Sequence, residues 1–198
     1  MKKEVIENWI QEAYAINKAN GFHDHEHPHS NTCRLMLIVT EISEAVEADR
    51  KGIHPRELNI FEEACRTWDG NKLWETTGYA QTFHDHIKDS FEDELSDVVI
   101  RCCDFLGCLG MTFEQAFKKP WEPINHQNYD TFADEAWYWV WLLCGNDHAT
   151  NVTAAANVAG LLLQVCDYCD INDIDIAQHV EWKLKYNKTR PFRHGKAY

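Results

Sequence analysis

Ser90-Phe-Glu-Asp-Glu-Leu-Ser-Asp-Val-Val-Ile-Arg-Cys-Cys-Asp-Phe-Leu-Gly107 carries the periodicity that decides the fold. Leu95, Val98, Val99, Cys102 and Leu106, continued by Leu109, recur at three- and four-residue spacing, so a helix running to Gly107 or beyond has one apolar side. Upstream, Leu35, Ile38, Ile42, Ala45 and Val46 mark a second such helix from about Thr32 to Lys51, stopped by Gly52. Val5, Ile6, Trp9, Ile10, Tyr14 and Ile16 mark another over 2–20, closed by Asn20-Gly21. His23 to Ser30 reads as a loop, and 53–89 as short helical pieces around a turn at 68–71. Downstream, Thr112 caps a short helix to about Lys119, which Pro120 closes. Further helices are expected near 129–145, 151–169 and 173–188, and Arg190-Pro191 begins the tail. No alternating strand pattern of useful length occurs. The expectation is an all-α helical bundle, a single domain over 1–198.

The 198 residues hold 19 Lys plus Arg against 32 Asp plus Glu, a net charge of −13. Eight Trp, seven Tyr and nine Phe supply a core of real size, which excludes disorder. The acidic balance argues against binding a nucleic-acid polymer, which needs a basic face. It leaves a nucleotide substrate open, because divalent cations on carboxylates invert the local field. The densest apolar run, Ala136 to Cys144, has nine residues, so no membrane span is expected. The N-terminus has no apolar stretch of the signal-peptide kind. Cys102, Cys103, Cys144 and Cys166 lie inside apolar runs, where Cys acts as a small hydrophobe; a reduced, cytoplasmic protein is expected.

An internal echo links two stretches. A shift of 63 residues places Cys103-Asp104-Phe105 on Cys166-Asp167-Tyr168 and Gln115 on Gln178. Each stretch reads as a long apolar helix, a break and a second helix. This admits a fused tandem, with 1–119 as the acid-bearing half, 120–180 as a degenerate repeat and 181–198 as a tail. The acids are lost in the second copy, since Glu94 falls on Asn157 and Asp97 on Gly160.

Candidate chemistry sits on the two strong helices. Glu41 and Glu44 are three residues apart and flank the first apolar stripe; Glu94 and Asp97 flank the second, with Arg101 one turn on. Packed side by side, these helices would bring four carboxylates together at the edge of the core. Such a cluster repels itself unless cations occupy it, and hard oxygen ligands suit Mg²⁺ or Mn²⁺. Acidic pairs at this spacing are common as solvated faces, as at Glu44/Glu47, Asp167/Asp170 and Asp170/Asp173. The matched placement beside two apolar stripes separates the quartet from these. The histidines of 23–29 and His84/His86 offer imidazole ligands for borderline metals, but clustered His in a polar loop is more often plain exposed composition.

With Asn20-Gly-Phe-His-Asp24, Leu35 to Glu47, Phe91 to Arg101 and the tail Lys183-Leu-Lys-Tyr-Asn-Lys-Thr-Arg-Pro191, the chain resembles the MazG-like all-α nucleoside triphosphate pyrophosphohydrolases, relatives of the dimeric dUTP pyrophosphatases. The resemblance covers 1–51, 88–118 and 180–198, a little over half the chain. It implies hydrolysis between the α and β phosphates, giving a monophosphate and pyrophosphate. By position, Glu41, Glu44, Glu94 and Asp97 would hold Mg²⁺, with Mn²⁺ a substitute, and Lys183, Asn187 and Arg190 would bind phosphate or sugar oxygens. A homodimer or larger homo-oligomer is implied as well. Forty-nine residues separate Glu44 from Glu94, longer than the family's compact core. The extra segment is either a lid or base pocket built from Trp68, Trp74, Tyr79 and Phe83, or a packing insertion. The rival readings are a base-specific dUTP or dCTP pyrophosphatase, a non-catalytic helical interaction module whose acids are a solvated face, and a His-rich metal binder.

Overall fold

The computed structural model describes residues 2–23, 29–68, 70–117, 129–144 and 150–192. Among these the protein is all-α: α1 (Lys3–Ala19), α2 (Asn31–Lys51), α3 (Leu58–Trp68), a π-helical turn (Trp74–Gly78) running into α4 (Tyr79–His86), α5 (Phe91–Cys108), α6 (Phe113–Ala116), α7 (Phe132–Cys144), α8 (Asn151–Ile171) and α9 (Ile176–Thr189). The expected helices recur within a few residues at each end. Most of the His loop (24–28), the end of the Thr112 helix and 193–198 lie outside the described residues.

Local chemistry fixes the boundaries. Ser30, Ser90, Thr112, Thr150 and Asp175 each accept a backbone N–H of the first turn. Gly52 ends α2 in the left-handed region (φ 62). Gly21 follows α1 at φ 82, and a Cβ there would lie 2.1 Å from the Phe192 ring, so this glycine serves both the turn and a close approach of the tail.

Helix α5 is the axis of the bundle: it packs against α1, α2, α8 and α9. Its stripe of Leu95, Val98, Val99, Cys102 and Leu106 is fully buried. The expectation that Cys144 is a core residue is corrected, because it ends α7 facing solvent; Cys102, Cys103, Cys166 and Cys169 are the buried thiols. Cys166 and Cys169 form a Cys-x-x-Cys pair, and burial raises both thiols, which keeps them inert. Helix α8 is long and apolar enough to cross a membrane (mean hydropathy 1.3), yet 61% of that window is buried inside the bundle, as befits a core helix.

The 63-residue echo has a counterpart in packing. Buried Phe91, Leu95, Ser96, Val98, Val99, Cys102, Cys103 and Leu106 of α5 correspond, at that shift, to buried Ala154, Val158, Ala159, Leu161, Leu162, Val165, Cys166 and Cys169 of α8. The caps Thr112 and Asp175 correspond too.

The segment between α2 and α5 makes a small core of its own. Phe61, Tyr79, Phe83 and Ile87 are buried there against Trp182 and Tyr186 of α9. Phe83 stacks on Tyr186 with centroids 4.5 Å apart, and the Tyr79 hydroxyl donates to the Trp182 carbonyl at 2.9 Å. The insertion therefore braces the C-terminal helix. Trp68, Trp74, Tyr79 and Phe83 form no wall of the cavity described next, so the base-pocket expectation gives way to packing.

Candidate active site

A cavity of about 190 Å³ is lined by residues of α1, α2, α5 and α9 and the turn before α5. Glu41, Glu44, Glu94, Asp97, Lys183, Asn187 and Arg190, the seven residues singled out from sequence, all line it. They meet because α2 and α9 both pack on α5.

Glu41, Glu94 and Asp97 each place a carboxylate oxygen within 4.8 Å of the others. Glu44 lines the same cavity as an exposed residue outside that triad. Glu41 is buried on α2 and accepts from Arg101 Nε at 2.8 Å. Burial, reinforced by Asp97, pushes the Glu41 carboxyl up to about 7 although Arg101 opposes the shift. Burial and Asp97 push Glu94 further, to about 9. Its Oε2 is enclosed without a hydrogen-bond partner. Carboxylates that raise one another's pKa in a closed space favour a cation among them, and their oxygens are hard donors of the kind Mg²⁺ takes.

Lys183 departs from its expected role as a free phosphate donor. Its ammonium is buried, donating to Asp93 Oδ2 and contacting Asp97 Oδ2, each at 2.7 Å. It also lies 5.6 Å from the Phe83 centroid and 6.0 Å from that of Tyr186. Burial alone would lower its pKa, but Asp93 and Asp97 more than compensate, so it stays charged. Burial pushes Asp93 up to about 6 against the pull of Lys183. Asn187 is buried one turn after Lys183, and its Oδ1 has no partner. Its carbonyl accepts from Asn20 Nδ2 at 3.2 Å, joining the end of α1 to α9. Arg190 ends α9 in extended backbone (ψ 146), the conformation favoured before Pro191, with its guanidinium carbon 5.8 Å from the Tyr186 centroid.

Sequence reading missed Asn17, Phe22, Lys88, Asp89, Ile100 and Tyr186 on the walls, and Asp93 behind them. Asn17 had a signal: it is a polar residue beside the buried apolar stripe of α1. Lys88 and Asp89 had a weaker one, since residues just before an N-cap fold over the first helical turn. Asp89 takes φ 62 and donates its N–H to Asp93 Oδ2 at 3.0 Å.

His23 lies beside this site, its Nε2 2.7 Å from Asp104 Oδ1 and its ring 4.8 Å from that of Tyr14. Burial would lower its pKa, but Asp104 and the Cys108 thiol outweigh it and hold the imidazole near about 9.

Among the described residues, the two acidic clusters are Glu41/Glu94/Asp97 and Asp89/Asp93/Glu94. A comparison with protein-family models, curated proteins and solved structures found no match to this chain.

Proposed function

We propose that this protein is a divalent-cation-dependent nucleoside triphosphate pyrophosphohydrolase of the MazG-like kind, releasing a monophosphate and pyrophosphate. The observation that carries the reading is the convergence of acids from α2 and α5 with polar groups of α9 on one cavity. Mg²⁺, or Mn²⁺ in its place, would be held by Glu41, Glu94 and Asp97 with Glu44 at the rim; the buried, unpartnered Glu94 Oε2 fits that role. Bound divalent ions supply charge neutralisation and an acidified water to phosphate hydrolysis. The chain's own residues do the rest. Arg101 orients Glu41, and Lys183 fixes Asp97 while adding positive charge to the floor. Asn187 and Arg190 present amide and guanidinium donors to phosphate oxygens, the latter as a two-pronged fork. A cytoplasmic homodimer or larger homo-oligomer belongs to the same reading.

A screen for pyrophosphate release across natural and damaged nucleoside triphosphates tests it. At least one should be cleaved with Mg²⁺ and spared with EDTA. Silence across the whole panel would leave the interaction-module reading in its place.

A further inference from the structure

Resting on that reading, we propose that Asp89, Asp93 and Glu94 form a second divalent-cation position, sharing Glu94 with the position of Glu41, Glu94 and Asp97. Each of the three offers an oxygen within 4.8 Å of the others.

The independent sign is a pair of buried oxygens. Asp93 is 1% exposed and its Oδ1 has no partner, and the same holds for Oε2 of Glu94, 6% exposed. Buried carboxylate oxygens are ordinarily paired, hydrogen-bonded or bound to metal. Asp93 cannot turn to satisfy both of its oxygens, because Oδ2 is clamped by Lys183 Nζ at 2.7 Å and the Asp89 N–H at 3.0 Å. The clamp holds Oδ1 in a fixed direction, as a metal ligand should be held. Exposed Asp89 supplies the third oxygen and a route in from solvent.

Charge points the same way. Glu41, Glu44, Asp89, Asp93, Glu94 and Asp97 face Lys88, Arg101, Lys183 and Arg190, leaving two formal negative charges. One divalent ion cancels these. A bound polyphosphate then adds negative charge, which a second ion offsets.

Titration of the full chain with Mn²⁺ alone, read by electron paramagnetic resonance, decides it. The wild type should bind two ions per chain with a mutually broadened signal, since ions sharing a carboxylate lie roughly 4 Å apart. Asp89→Asn keeps the side-chain shape and suits positive φ better than Asp does, so it should fold normally. It should bind one ion and lose the broadening, whereas Glu41→Gln should lose the other ion. Two ions in both wild type and Asp89→Asn would overturn the assignment, as would a single ion that only Glu41→Gln removes. In that last outcome the proposed function stands without its second ion. If no Mn²⁺ binds at all, both fail.

Discussion

Nζ of Lys183 donates to Oδ2 of Asp93 at 2.7 Å, a buried ion pair between residues 90 apart that ties the last helix to the bundle axis. Removing one partner of such a pair leaves the other as an uncompensated buried charge. Lys183→Met should therefore lower unfolding free energy by about 3–5 kcal/mol in urea titrations. Pairing it with Asp93→Leu should recover most of that loss, because both charges then leave together. A double variant no more stable than Lys183→Met would show that the ion pair is not the source of the effect.

Glu41 stands where α2, α5 and Arg101 meet, so changing it separates catalysis from folding. Glu41→Gln keeps an acceptor for Arg101 but removes a charge from the cation cluster. Turnover should fall at least ~10²-fold. Thermal stability in EDTA should be unchanged or higher, because Asp97 and Glu94 lose a repelling neighbour. Near wild-type pyrophosphate release would remove Glu41 from the machinery.

The main bundle was legible because its helices are long, periodic and capped by side chains of the expected kinds. The site was legible in part for the same reason: Glu41 and Glu94 interrupt regular apolar stripes, so their faces follow once the stripes are buried. Tertiary pairing was not legible. Nothing in the spacing of Lys183, Asn187 and Arg190 says that the lysine turns inward to Asp93 and Asp97 while Arg190 lines the cavity beside Tyr186. The insertion was opaque for another reason. Its helices are short, and Phe61, Tyr79 and Phe83 bury against Trp182 and Tyr186, a hundred residues away, rather than against one another alone.

The His23–Asp104 pair makes stability depend on pH with a definite sign. The imidazole is raised from 6.5 to about 9 by Asp104 and Cys108 despite burial. A raised pKa stabilises the fold fully below the ordinary value, and the contribution fades as pH climbs through the folded one. Between pH 7 and about pH 10 the wild type should lose more unfolding free energy than His23→Gln, which has no proton to release. Equal slopes in the two proteins would mean that the pair contributes no charge-dependent stability.

Arg190 tests whether the end of α9 reads phosphate or base. Truncation after Val180 is a poor probe, because it would strip buried Lys183, Leu184 and Asn187 from α5 and uncover the core. Arg190→Lys is cleaner: the residue is half-buried at the helix end and contacts only the Tyr186 ring among the described aromatic groups. Lysine keeps the charge but loses the planar fork, and it stacks less well on the ring. The Michaelis constant should rise roughly 10-fold, the loss of about one charge-assisted hydrogen bond. Because a phosphate chain is common to every substrate, the rise should be the same for purine and pyrimidine triphosphates, with turnover little changed. A rise confined to one base would place the guanidinium on the base edge instead, and the assignment of Arg190 to phosphate would fall.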